Sequence, residues 1–480
     1  MASIEIILRD DKGNVINEGE KKVYKLNLGN KNASELKFHE IEGSVEEFKR
    51  NALPDITEEL LKKAQNDYKE EIKKKEGVKF NGTTPVRIKS LTGSFNFREQ
   101  RFVIEDKELR YFELTNQFQE GYISDRLKEL SGYYSNRLSY KEVEGVIERV
   151  TGEKQLSDEK IQQIVVDKGA ELSHLKEEEV KKLKEREGLK IPLIKEKVDI
   201  YDPKEEEILI FDDGIQVREQ KANRDKRKDE AQIDQNEEKE KSKKNKVNTD
   251  VIMLEKKDGD FEYIIGAIDE EGKESIPLEY IVKTEIIKEY GEDKDPLKVV
   301  AITDGAKAIR GRLLAIFGIT ITIILDWYHL CKKIRELMSM IARNKEEKIK
   351  HMRELFYYLW RGMVDETLKY LKTEVIARNK QKLLELITYI EKHKAEIIDY
   401  RRRKEAGKSI GSGQMEKGVD QVIGFRQKKK GMSWSKAGSK SLGILKVAEL
   451  NNRWEELWFP EVAANTENHS SSSLPLAANL

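Results

Sequence analysis

The chain has 480 residues, with 38% apolar and 38% charged side chains, and its 90 Lys and Arg are balanced by 90 Asp and Glu. That length fits two to four domains, and a single cysteine, Cys331, excludes a disulfide framework or a Cys-based zinc site within the chain. No apolar run approaches the ~20 residues that span a bilayer, and the opening MASIEIILRDDKG has strand patterning rather than the form of a signal peptide. The expectation is a soluble cytoplasmic protein without a membrane partner.

The zero net charge averages over unlike segments. Arg401 to Lys436 carries eleven Lys and Arg against Glu405, Glu416 and Asp420, and Lys332 to Arg353 carries eight against three Glu. Basic runs of this size are usually solvated helix faces, so their weight comes from the acids they surround.

In chain order, residues 1–84 read as short strands followed by a charged helix from Ile56 to Lys75, with His39 an ordinary surface or packing histidine. Residues 85–121 read as a β-meander turning at Thr92-Gly93-Ser94. Residues 122–197 are helical. Ser139-Tyr140-Lys141-Glu142 is a capping box that starts a helix through Val150, and Thr151-Gly152 ends it. A second helix follows from Lys160, and a separate Lys/Glu-rich spacer helix spans Glu177 to Glu187. The pair is either a helix-turn-helix, with Lys160, Gln162 and Gln163 facing DNA, or a plain helical hairpin.

Residues 198–329 change character. ILIFDDGIQVREQ (208–220) is a strand delivering an acid pair, and a polar stretch, 221–249, is expected to be disordered. Structure resumes at Asp250 with two strands turning at Asp258-Gly259. A helix over Pro277 to Tyr290 comes next, and then strand Val299–Thr303, ending in Asp304-Gly305. An amphipathic helix, Ala306 to Phe317, leads to a strand from Ile319 to Ile324 that ends in Asp326-Trp327-Tyr328-His329. Residues 330–408 form an all-helical block. Residues 409–462 begin with a flexible turn, Ser409 to Gly413, and continue as a helix carrying Glu416. Residues 463–480 are a disordered tail.

Three acids stand at the edges of predicted elements with glycine close by: Asp213 (or its neighbour Asp212), Asp304 and Glu416. Phosphodiester chemistry with two metal ions needs hard oxygen ligands of this kind, held close together. Asp326 and His329, three apart, either bind metal or cap and orient their helix, and the capping role is preferred. Ala406-Gly407-Lys408-Ser409 resembles the end of a phosphate-binding loop, but Arg402 stands where its first glycine belongs.

The segments LIFDDG, AITDGA, LDWYHL and IGSGQMEKGVDQVIGFRQKKKGMSWS together resemble the DDE transposases of bacterial insertion sequences, of the ISKra type related to Mutator-like transposases. The similarity covers roughly Val86 to Asn452. It implies an α/β RNase H-like core with a mixed sheet and an all-α insertion, preceded by the β-meander and helical region. The resemblance places the metal-binding catalytic acids at Asp213, Asp304 and Glu416, for two Mg²⁺ (or Mn²⁺) ions, with Asp212, Asp326 and His329 around them. Arg426, Lys428, Lys429 and Lys430 would neutralise phosphates, and Trp434 would stack on a base or pack in the core. Double-stranded DNA (terminal inverted repeats and target) is the implied partner, with a homodimer or higher oligomer and association with the nucleoid. The departures are a cysteine-free meander and the charged insertion after the first acid. Two other readings share these residues: an RNase H-like nuclease or resolvase that cuts without joining, and a domesticated DNA-binding protein.

Overall fold

The structure is a computed structural model, and it describes residues 2–10, 12–16, 23–26, 37–75, 77–118, 121–194, 198–220, 246–291, 296–429 and 431–460. The chain divides into two compact units, Met1–Val165 and Val166–Leu480. Among the described residues no helix is long and apolar enough to cross a membrane.

In the first unit, β1 (Ala2–Glu5) pairs antiparallel with β2 (Val23–Leu26), and a 35-residue helix, Phe38–Ile72, follows. That helix is longer than the expected Ile56–Lys75. Pro54 lies inside it rather than at its start, and Ala52, on the N-terminal side of the proline, is buried like Ile72. Packing on both sides holds a helix that proline alone would interrupt. The meander forms as the alternation predicts: β3 (Val78–Ser90), β4 (Gly93–Ile104) and β5 (Lys107–Arg110) are antiparallel, around Ile88, Phe97, Phe102, Tyr111 and Phe112. The capping box also forms. Ser139 Oγ accepts from Glu142 N, and the Glu142 carboxylate accepts from Ser139 N at 2.7 Å, starting the helix Tyr140–Thr151. The next helix, Asp158–Glu187, runs unbroken for 30 residues, so the expected separate spacer is its continuation. No glycine or proline stands between Ser173 and Glu187, and Lys176 pairs with Glu179 at 2.5 Å across the expected gap.

The second unit is built on a five-stranded mixed sheet in the order β10-β9-β6-β7-β8. Its strands are β6 (Ile208–Arg218), β7 (Lys246–Glu255), β8 (Phe261–Ile265), β9 (Val299–Thr303) and β10 (Thr322–Leu325). β7 runs antiparallel to β6 and to β8, whereas β9 runs parallel to β6 and to β10. β7 begins at Lys246 rather than Asp250, because Lys246 to Thr249 pair with Arg218 to Ile215. Residues 221–245 of the charged insertion, and the tail expected at 463–480, lie outside the described residues. β10 starts later than Ile319. Gly318–Thr320 is a 3₁₀ turn, and Ile319 is 88% exposed, so β-branching at that position did not mean a strand. Helices Leu278–Tyr290 and Lys307–Phe317 cover one sheet face, burying Ile281, Ile286, Leu313 and Phe317 against Ile210, Ile252 and Ala301.

The helical block comprises Trp327–Ile341, Lys345–Trp360, Val364–Thr373, Lys380–Lys392 and Tyr400–Glu405. It is clamped to the sheet. Arg403 is fully buried, grips both carboxylate oxygens of Glu207 just before β6, and donates from Nε to Ser409 O at 2.6 Å. Lys408 joins the same carboxylate at 3.0 Å, which accounts for the lysine of the false phosphate loop. Tyr400 donates its hydroxyl to Leu325 O at the end of β10, at 2.8 Å. A buried pair stripped of one partner leaves an uncompensated charge. Glu207→Ala should therefore destabilise this unit by roughly 3–5 kcal/mol, read as a lower urea midpoint; an unchanged midpoint would contradict the clamp.

Candidate functional site

Successive side chains of a strand point to opposite faces, and β6 uses this to separate its acid pair. Asp212 shares the face of Ile210. It is buried there and meets Arg312 of helix Lys307–Phe317, Nη1 to Oδ1 at 3.1 Å, while Nη2 reaches Asp250 Oδ2 at 2.7 Å. Asp213 shares the opposite face with Phe211, half-buried, and accepts from Gly214 N at 2.7 Å. The choice between the two acids therefore falls on Asp213. Asp212 is held by an arginine on the other side of the sheet.

The parallel register sets the next two acids. Ile210 pairs with Ala301 and Phe211 with Ile302, so continuing the β6–β9 register sets Asp304 beside Asp213. Thr303 pairs with Leu325, and Asp326 N donates to Thr303 O at 2.8 Å, so Asp326 continues the row at the end of β10. Asp304 Oδ1 accepts from Ala306 N at 2.8 Å, holding the turn into the following helix. Gly305 has φ +82, and a Cβ there would lie 2.6 Å from His393 Cε1 and 2.8 Å from Leu325 Cδ1. Only glycine fits both the backbone angle and the space.

Glu416 arrives from the other end of the unit. Its helix, Gly413–Val419, packs over the face of β6 that carries Asp213, with Gly418 against Met253, the partner of Phe211. Asp326 ties this helix to the row. One of its oxygens accepts from His329 N at 2.7 Å, capping the helix Trp327–Ile341. The other accepts from the Ser412 amide and, at 2.6 Å, from its hydroxyl. Asp326 thus takes the capping role. The turn expected to be flexible is pinned instead: Ile410 and Ser412 are buried, Trp327 N donates to Ile410 O, and Tyr328 lies so close that a Cβ on Gly411 would meet its ring at 2.5 Å. Glycine and serine here serve close approach rather than mobility. After Val419 the helix widens into a π segment, Asp420–Gly424, before Phe425–Gln427, a feature frequent at functional sites.

The charges are coupled. Burial raises the Asp213 carboxyl, and the neighbouring charges of Asp304 and Glu416 raise it further, against the Gly214 N–H and His329. Asp213, Asp304, Glu416 and His329 therefore share one electrostatic neighbourhood. Burial pushes Asp212 up to about 7, outweighing Arg312, and its Oδ2 is buried without a hydrogen-bond partner among the described residues.

The candidate DNA contacts divide differently. Arg426 is buried, stacked on Trp434 at 4.8 Å and directed at Met432 Sδ. Trp434 is also buried, its Nε1 donating to Gln427 O at 3.0 Å and its backbone bridging Arg218 and Gln220. Both are packing residues, which corrects the phosphate-binding role expected for Arg426 and gives Trp434 the core role of its two expected ones. The basic run hid this because charge in sequence does not report which face a helix buries. Lys428 and Lys429 are exposed, and Lys430 lies outside the described residues. In the first turns of helix Asp158–Glu187, Gln163 is exposed, Lys160 and Gln162 are half-buried, and Ile161, Ile164 and Val165 are buried. His393 went unnoticed in sequence. It lies at the end of a charged helix with no motif, and only the fold brings it against Gly305.

Asp213, Asp304 and Glu416 supply the hard oxygen donors that suit Mg²⁺ or Mn²⁺, and the upward push on Asp213 by its acidic neighbours is the electrostatic demand that a cation would relieve. Among the described residues no three His, Cys, Asp or Glu side chains stand close enough together to hold an ion as they are placed. A cavity of about 620 Å³ lies elsewhere, at β8, lined by Leu172, Ile264 and Val447, and holds none of these acids. No protein-family model matches the chain, and no curated protein matches it.

Asp212 gives a pH signature. Its folded carboxyl titrates near 7, above the ordinary 3.8, so between those values the folded chain binds the extra proton. The stability it contributes is full below about pH 4 and is lost as pH rises through about 7. Asp212→Asn does not titrate. Urea unfolding at pH 5 and pH 8 should show the wild type losing stability relative to the variant at the higher pH, and a pH-independent difference would refute the raised carboxyl.

Proposed function

We propose that this chain is a DDE-type DNA transposase whose RNase H-like core uses Asp213, Asp304 and Glu416 to cut DNA and join its strands. The observation that carries the reading is the register of β6 and β9, which sets Asp213 beside Asp304 on the face where the Glu416 helix packs. The sheet order supports it: three antiparallel strands, then two parallel strands added on the other side of the first, is the arrangement expected of an RNase H-like core.

In this reading the three carboxylates, once drawn together, would hold Mg²⁺ or Mn²⁺, and the bound metal would supply charge neutralisation at the scissile phosphate and a more acidic attacking hydroxyl. Asp213 would supply a ligand from within β6 and Asp304 one from the end of β9, on rigid elements where geometry is held best. Glu416 supplies a third from a helix whose first turn is fixed by Asp326 through Ser412. Lys428 and Lys429, exposed beyond that helix, meet DNA phosphates, so binding weakens as salt rises. The partners are the double-stranded ends of a mobile element and its target, acted on by a homodimer or larger assembly at the nucleoid.

Asp304→Asn should remove Mg²⁺-dependent cleavage, by on the order of a thousand-fold or more, while DNA binding in a gel-shift assay persists. Retained cleavage would sink the assignment. On DNA carrying the element ends, joined strand-transfer products support transposition, whereas cut ends alone would mark a nuclease or resolvase.

A further inference from the structure

The imidazole of His393 is 1% exposed and lies against the Asp304-Gly305 turn, its Cε1 and Nδ1 lying 2.6 Å and 3.1 Å from where a Gly305 Cβ would stand. It comes from the helical block, just past helix Lys380–Lys392. Nδ1 is 2.6 Å from Glu396 Oε2. A carboxylate only accepts, so Nδ1 carries the hydrogen and the ring orientation is set. Glu396 is itself buried and held from two further sides. Arg310, on the helix that follows Asp304, is ion-paired with its Oε1 at 3.0 Å without a hydrogen bond among the described residues, and the Glu396 backbone carbonyl accepts from Leu325 N at 2.9 Å. Tyr389 packs on the imidazole with ring centres 4.8 Å apart, and its hydroxyl is pushed up to about 12 by burial and then by the charge of Asp304.

We propose that His393, oriented by Glu396, is a positioning residue for Asp304, so that the helical block supplies one wall of the acid centre. The proposal rests on Asp304 being a cation ligand, as the proposed function holds. Its basis is steric and directional. The turn after Asp304 has no room to move toward His393, and Glu396 links that ring to both the end of β10 and the helix leaving the turn. Groups that orient a metal ligand from behind typically change metal affinity or activity about 10–100-fold when removed.

The test is Mn²⁺ binding, followed by loss of the free-ion electron paramagnetic resonance signal, on the full chain. His393→Ala should weaken Mn²⁺ binding by about 10–100-fold and raise by a similar factor the Mg²⁺ concentration giving half-maximal cleavage. His393→Asn, which keeps a donor near the Nδ1 position, should recover most of both. Should His393→Ala fail to fold, Glu396→Gln replaces it, with a smaller shift of the same sign expected. Wild-type affinity in these variants, alongside lost affinity in Asp304→Asn, would overturn the positioning role and leave the acid centre standing. A wild-type chain that binds no Mn²⁺ would overturn the acid centre, and the positioning role with it.

Discussion

The buried carboxylate of Asp326 joins three parts of the second unit that are far apart in sequence. Its backbone amide continues the parallel ladder from Thr303, one oxygen caps the helix that opens the helical block, and the other holds Ser412 in front of the Glu416 helix. Hydrogen bonds to a charged acceptor are stronger than neutral ones, and a buried carboxylate must find them. Satisfying Asp326 therefore fixes where the chain returns after more than eighty residues of helices. The helix carrying Glu416 comes over Asp213 because of that bond and the close contact of Gly418 with Met253.

Two neighbouring acids take opposite roles for a geometric reason. A strand sends adjacent side chains to opposite faces, so Asp212 turns toward Arg312 and Asp250 while Asp213 turns toward Asp304 and Glu416. On the first face Asp212 and Asp250 share one arginine, and burial still pushes the Asp212 carboxyl up. On the second, burial raises the Asp213 carboxyl and the charges of Asp304 and Glu416 add to it, the setting in which perturbed carboxylates mark functional sites. A one-residue shift of β6 would exchange the two.

The helical block is bound to the sheet by polar as well as apolar contacts. Arg403 with Glu207, Tyr400 with Leu325 and Glu396 with Leu325 all attach it near the strand ends that carry the acids or at the entry to β6. Each leaves a buried polar group unsatisfied if the block moves away, so the attachment is specific in a way that apolar packing alone is not.

Much of this was legible in the amino-acid order. Apolar and β-branched runs located β6 to β9, the Asp-Gly pairs at 258 and 304 marked turns, Ser139 and Glu142 announced their helix start, and the acids at 213, 304 and 416 stood out with glycine close by. These signals are local, and local sterics are enough to read them. Other features depended on partners distant in sequence. Pro54 sits within a helix, Asp158–Glu187 runs on where a break was expected, Arg426 and Trp434 turn inward, and Ser409–Gly413 is pinned rather than loose. His393 meets Gly305 across nearly ninety residues. Residue type shows what a side chain is able to do; burial and register, which come from the whole chain packing together, settle which of those things it does.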